Sequence, residues 1–453
     1  MALADDISRA FHAIEAAPAP AAAVAHLRSL IIDALACILA GADSDIARLA
    51  VRAASKPATG PAGATLLPKG ARATSANAAL VNGTMLRSLD LMDVYVDADV
   101  THPSESIPAA LAVAEAQGAS GSAFLDSVLA AVALHTHLAS TVALHRHGLH
   151  HVGHAAWTVP LIAGRLAGLG EGGAANALNL SAGNLVVPEG FSRGHVANVK
   201  AMAFPLIAKR AIELADLGAA GLVAQTGACE EVVRLLARIT GESLEPTAFV
   251  PSWDSPRIEA VTLKTYPAQY ALQPLIAAGA AFRRHQPERV GDITRIVVRA
   301  AKQTVMRTAD PAKFRPVSRE AADHSLPFCV ACGLLEGGLG AESLQRERWK
   351  DDDILRLTAA MEVEATGAGD AFAIGRQEIV LTFTDGTSAE LDCVYPPQGR
   401  SWRQIAEEKL SHFAAGRDVD RILAIVDNLE NEASVTPLVE ALCTEGAARA
   451  RAS

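Results

Sequence analysis

Aromatic residues make up only 4% of the 453-residue chain. That scarcity excludes a core organised around large rings, so the interior must be filled by Ala, Leu, Val and Ile. Ala has the highest helix propensity, and such a composition favours closely packed helices. Cysteine is equally sparse: Cys37, Cys229, Cys329, Cys332, Cys393 and Cys443 are spread as in a reduced cytosolic protein, not as a disulfide framework. Cys329 and Cys332 have C-x-x-C spacing, but they lie in an apolar helical pattern and are expected to be small buried hydrophobes. No block of Lys or Arg stands out and the net charge is -10, which argues against nucleic acid as a partner. An anionic substrate therefore gains nothing from the global field, and any carboxylate site must be made by local cations. The most apolar stretches, such as Phe124–Leu134 and Val152–Leu169, are interrupted by polar residues or Gly and fall short of the roughly 20 residues of a membrane span. Met1–Ile7 has no charged-then-apolar leader. The expectation is a cytoplasmic protein with no membrane partner.

The length points to two domains. Up to about residue 250, apolar residues recur at helical spacing in His26–Ala40, Ala71–Leu89, Pro108–Gln117, Ala123–Leu138, Ala155–Leu166 and Lys200–Leu217, several ending at a Gly suited to a C-cap. No strand signal appears in this half. Beyond Pro251, Ile258–Lys264 and Ile293–Ala300 are short and β-branched, and Glu378–Phe383 and Ser388–Val394 alternate around the turn Thr384-Asp385-Gly386-Thr387. Helical runs Ala268–Arg284 and Pro327–Leu335 lie between them, and Trp402–Arg449 reads as helix again. The fold expected is mainly α: a large helical domain over 1–262, completed by helices in 401–453, and a smaller α+β domain over 263–400.

Three groups of residues suit chemistry. Leu89-Asp90-Leu91-Met92-Asp93 is followed, nine residues after Asp93, by His102-Pro103-Ser104. Pro108 and the serines mark a helix start there, whose free N–H groups can seat a carboxylate, with Asp93 and His102 as acid or base. The competing reading is a solvated N-cap loop. His145, His147, His150, His151 and His154 form the second group. In a helix the last four would share a face at metal-binding spacing, but Gly148 and Gly153 make a helix doubtful and no nearby Cys, Asp or Glu completes a ligand set. One histidine acting as acid or base fits better. Lys200 and Lys264 stand at element ends, where each could hold a carboxylate or stabilise an enediolate; taken singly, each also reads as a surface lysine.

In order and spacing these motifs resemble the MmgE/PrpD family from about Ile31 to about Lys409. The resemblance rests on Asp33–Gly41, Asn82-Gly83, the L-D-x-x-D to H-P-S block, Gly148–His151, Lys200, the segment Lys264–Gln273 and Asp323–Phe328. It implies a helical domain with an α+β lid, an active site in the cleft between them, usually a homodimer, and neither metal nor organic cofactor. Carried over by position, Asp93, His102, Lys200, Lys264 and either His150 or His151 match family catalytic residues, and Ser104, Arg193, Tyr266, Gln273, His324 and Phe328 are expected around the substrate. The segment Lys264–Gln273 and the spacing from Asp93 to His102 are closest to the 2-methylcitrate dehydratase branch. Arg87 stands where many members have His, and Phe328 replaces a Tyr that decarboxylase-like members use, which disfavours cis-aconitate decarboxylation.

The reading that follows is a lyase or isomerase removing a proton next to a carboxylate of a small di- or tricarboxylic acid. Lys200 and Lys264, with Arg193, would anchor the substrate. His150, His151 or Asp93 would act as base and His102 as acid. A metal-dependent hydrolase built on the histidine run and a catalytically silent carboxylate-binding protein are the rivals.

Overall fold

The computed structural model describes residues 2–15, 19–54, 63–192, 197–251, 257–367, 376–396 and 399–443. The helical unit contains α1 (Leu3–His12), α2 (Ala21–Gly41), α3 (Asp45–Ala54), α4 (Ser75–Arg87), α5 (Ile107–Gln117), α6 (Gly121–Thr141), α7 (Ala155–Leu166), α8 (Gly170–Ser181), α9 (Ala203–Ala219) and α10 (Ala228–Thr240). Its core is aliphatic, as the composition requires: Leu30, Ile31, Ala34, Val128, Leu134, Ala156 and Leu161 are fully enclosed. The central helices are apolar on nearly every face because neighbours surround them. Two of them, Ala21–Gly41 and Gly121–Thr141, run unbroken for 21 residues and are long and apolar enough to cross a membrane. The polar interruptions expected to break the second do not: Ser127, His135 and Thr136 are accommodated inside the core. Burial of 78% of each apolar window within the protein is the signature of a core helix.

Short ladders correct the expectation of a strand-free first half. β1 (Ala64–Leu66) pairs antiparallel with β2 (Ala71–Ala73), and β3 (Tyr95–Val96) with β4 (Val100–Thr101). Strands of two or three residues carry too little alternation to be read from sequence. The second ladder matters most, because it brings Asp93 and His102 to the two ends of one hairpin.

The smaller unit packs α11 (Gln273–His285), α12 (Lys302–Thr308), α13 (Arg319–Ala322), α14 (Leu326–Glu336), α15 (Ala341–Gln345) and α16 (Asp352–Ala359) with a sheet of β5 (Ile293–Ala301), β6 (Met361–Thr366), β7 (Glu378–Phe383) and β8 (Ser388–Asp392). The strand order is β6-β5-β7-β8; β5 and β6 are parallel and the other pairs antiparallel. Helices α11 and α14 approach closely at Gly279 and Gly333, where a side chain on Gly333 would meet the Ile276 carbonyl oxygen at 2.9 Å. Cys329 and Cys332 are enclosed in α14, their thiols pushed well up by burial. Ile258–Lys264 is not a regular strand: it holds a 3-10 turn at Arg257–Ala260 and one bridge, Val94 to Thr262.

The chain then returns. Helices α17 (Trp402–Phe413), α18 (Val419–Asp427) and α19 (Thr436–Cys443) rejoin the helical unit, with α17 lying along α2. One hydrophobic core draws on residues 3–263 and 405–442, and a second on 268–383.

Candidate active site

Helix α4 ends at Arg87, and the chain turns through Asp90 with φ of +51°. Few side chains tolerate this left-handed conformation, and Asp is one of them. It places both the carbonyl and the carboxylate of Asp90 where two lysines meet them. Lys264 Nζ donates to the Asp90 carbonyl oxygen at 2.7 Å and to Oδ1 at 2.9 Å. Lys200 Nζ donates to Oδ2 at 3.0 Å. Lys264 is 1% exposed, so it is a buried cation and not a snorkelling surface residue. Burial lowers its proton affinity, while Asp90 works to restore it. Burial also opposes ionisation of Asp90, yet Lys200, Lys264 and the rings of His324 and His102 hold its carboxyl well below the usual range.

These groups face a cavity of about 430 Å³ between the two units. The helical unit contributes Asp90, His102, His145, His150, His151, Glu189 and Lys200 to its wall. The smaller unit contributes Gln269, Tyr270, Gln303, Met306, Arg307, Asp310, Lys313 and His324, with Lys264 at the junction. The structure therefore brings His102, His150, His151, Lys200, Lys264 and His324 together, although they are spread over more than two hundred residues of chain.

His102 is fixed by its backbone neighbour. Its Nδ1 lies 2.5 Å from the Asp93 carbonyl oxygen, an acceptor, so Nδ1 carries the proton and Nε2 keeps its lone pair. Burial, followed by the charges of Lys264 and Arg87, lowers the His102 pKa to about 3. Its ring packs edge-on to His151, with centroids 5.1 Å apart. Burial likewise pushes His150 and His151 well below the ordinary imidazole range. His150 Nδ1 accepts from the Val152 amide at 3.2 Å. The histidine run is not a helix, because Gly148 takes φ of +73° and separates the 3-10 turns Leu144–His147 and His151–His154.

Among the described residues, the group able to hold a cation shares only His151 with the histidine run. Ligand atoms of His102, Glu105 and His151 lie within 4.8 Å of one another, but Glu105 is already in a buried ion pair with Arg87. That guanidinium neutralises the one carboxylate and leaves the cluster without the negative charge that favours a metal. Arg87, at the position noted as unusual in sequence, thus has a structural task.

Several residues expected at the site sit behind it. The Asp93 carboxylate accepts from Ser104 Oγ at 2.5 Å and from the Ser104 amide at 3.1 Å; burial raises its pKa to about 7. Neither Asp93 nor Ser104 lines the cavity: together they brace the hairpin that aims His102. The Gln273 amide is fully engaged with backbone, accepting from Thr265 and Tyr266 and donating to Tyr266 and Ala268. It shapes the loop after Lys264. Tyr266 packs against the core of the smaller unit, and Phe328 is enclosed there against Trp349. Arg193 lies outside the described residues.

Asp90, the hub of the cation cluster, is missed by sequence reasoning that favours Asp93 for its spacing to His102. Its membership of the L-D-x-x-D motif was the available signal. The pair Asp99–His145 was also missed. Buried Asp99 Oδ1 lies 2.6 Å from His145 Nδ1 on the cavity wall. Behind the site, Lys409 of α17 ion-pairs with buried Asp33 of α2 and donates to the Leu91 carbonyl at 3.1 Å.

The family models fit this two-part architecture. Residues 5–245 match the MmgE/PrpD N-terminal domain and residues 266–430 the MmgE/PrpD C-terminal domain. The second match extends through α17 and α18, which pack in the helical core. With both domains matched in order over most of its length, the chain belongs to the MmgE/PrpD family.

Proposed function

We propose that this protein is a lyase of the dehydratase type acting on a small di- or tricarboxylic acid, with isomerisation of such an acid as the related alternative. Family membership supports a dehydratase, lyase or related activity. The observation that carries the finer reading is the convergence of Lys200 and Lys264 on Asp90 beside neutral imidazoles in one cavity. An α-proton next to a carboxylate is very weakly acidic, so the enediolate formed by its removal must be stabilised where its charge develops. Each ammonium has three N–H donors. Asp90 orients both lysines, and their remaining donors hold the substrate carboxylate.

His102 takes the α-proton at Nε2. This reverses the role expected from sequence, where it was the acid and Asp93 a possible base. The Asp93 carboxyl is closed off by Ser104, whereas His102 has its Nδ1 proton committed and its Nε2 lone pair available. A pKa of about 3 makes it a weak base on its own. An anionic substrate beside the ring raises that affinity toward the working range. Phe328, enclosed in the core of the smaller unit, supplies no hydroxyl, in keeping with dehydration over decarboxylation.

The test is incubation with a panel of di- and tricarboxylic acids in deuterated water, followed by NMR. Deuterium entering one carbon of one acid, with an unsaturated product, is the expected result. Thermal stabilisation by citrate-like acids with no exchange and no product would replace this reading with a silent binding protein.

A further inference from the structure

The geometry points to His324 as the catalytic acid of this reaction, delivered by the smaller unit and held in place by Asp323. The inference rests on the lyase reading above and assigns the proton that elimination needs on the leaving oxygen. His324 lies between α13 and α14, in a segment fastened on both sides. The Asp323 carbonyl accepts from the Gln269 amide at 3.0 Å. Ser325 caps α14 by accepting from the Phe328 amide at 3.1 Å, and its hydroxyl donates to the Lys313 carbonyl at 2.5 Å. Within this frame His324 Nδ1 bonds the Asp323 carboxylate. That partner fixes the ring plane and commits Nδ1, leaving Nε2 for chemistry, as carboxylate–imidazole pairs do generally.

Nε2 faces the reaction centre. It lies 3.1 Å from Lys200 Nζ and 3.6 Å from Asp90 Oδ2, and the ring lines the cavity. It is therefore an imidazole from the smaller unit in contact with the cation cluster that anchors the substrate, while His102, His150 and His151 belong to the helical unit. Lys200 donates to Nε2, so that nitrogen carries no proton in this arrangement. Once a substrate carboxylate takes that donor, Nε2 takes up a proton from solvent and turns toward the reacting carbons, with the carboxylates of Asp323 and Asp90 on either side of the imidazolium.

The step balances. The α C–H bond breaks, its proton passes to His102 Nε2, and its electron pair becomes the carbon–carbon double bond. The β C–O bond breaks with its electrons on oxygen, and the Nε2 proton of His324 completes a water molecule. His324 then regains a proton from solvent and His102 releases one, so the net change is substrate to unsaturated acid plus water.

The experiment compares wild type, His324→Asn and His102→Asn with citrate, isocitrate and malate as probes in deuterated water, following deuterium incorporation and product formation by NMR. With His324 as acid, His324→Asn keeps α-deuterium incorporation but loses product formation by on the order of 10²–10⁴-fold, whereas His102→Asn loses both. Asp323→Asn, acting through the ring, lowers kcat with KM nearly unchanged, and Asp323→Glu restores part of the loss. Melting curves and His324→Gln separate these effects from misfolding. Product formation by His324→Asn within about threefold of wild type, or loss of exchange together with turnover in a folded His324→Asn, would overturn the assignment alone. A wild-type protein that exchanges none of these acids would overturn the lyase reading and this assignment with it.

Discussion

The two walls of the cavity are built on different terms. On the helical side, His150 and His151 are buried and His102 half-buried, desolvation favours the neutral form of all three rings, and the loop beneath them is braced by the buried Asp93–Ser104 and Asp33–Lys409 contacts. On the other side, α12 presents Arg307 and Met306, the latter 60% exposed, and Arg307 ion-pairs with Glu189 across the cleft at 4.0 Å. A dense wall holds reacting groups within narrow tolerances, which proton transfer requires. The α12 stretch, unlike the fastened segment that carries His324 on the same side, is looser, and its long side chains suit recognition of the substrate's distal part. The lysines stand at the seam, so the sharpest test of this contrast lies there.

Lys200→Ala and Lys264→Ala are each expected to lower kcat/KM by on the order of 10²–10³-fold or more, the usual cost of removing one electrostatic stabiliser of a developing anion. Lys264→Ala should also destabilise the fold, because it leaves Asp90 buried without its nearest cation; melting curves measured beside the kinetics separate the two effects. The next effect belongs to the dense wall. His102, His135, His150, His151 and His154 all have pKa values lowered by burial, His102 to about 3 and His154 to about 4. The unfolded chain binds their protons near pH 6.5 and the folded chain does not. Stability is therefore highest above about pH 6.5 and is lost as the pH falls toward 4. Asp93, raised to about 7, and Asp33, raised by burial, act in the opposite sense as the pH climbs from about 4, but they are two groups against five. Tm followed by circular dichroism from pH 4 to 8 should rise and level off; a flat profile would mean these rings are solvated. The smallest effect belongs to the looser wall. Arg307→Ala should raise KM roughly two- to fivefold, the weight of a solvent-screened ion pair, with kcat unchanged, as for uniform binding. A fall in kcat instead would place α12 among the reacting groups and erase the contrast.

What was legible in the sequence follows the same division. The helices could be read because apolar spacing persists over several turns: Ala155–Leu166 and the hairpin strand Glu378–Phe383 fall where expected. Strand β6 was not read, because its Glu-rich outer positions at the sheet edge resemble a solvated helix face. The Trp402–Arg449 run proved to be three described helices, α17 to α19, since its amphipathic period continues across the turns. At the site, residue type was visible but direction was not. Lys200, Lys264 and His102 announce themselves by chemistry. That Asp90 turns its carboxylate inward depends on a left-handed backbone, and that Gln273 spends its whole amide on a loop depends on contacts no spacing encodes.

The bond between Asp33 and Lys409 joins residues 376 positions apart, and the same ammonium grips the Leu91 carbonyl in the loop carrying Asp90. During synthesis the first helices emerge long before their counter-charge does. The loop carrying Asp90 thus waits, with the acid beneath it lacking its counter-charge, until nearly the whole polypeptide has left the ribosome. Competence arrives late and all at once, and a chain cut short before α17 would lose the site even with every residue that lines it in place.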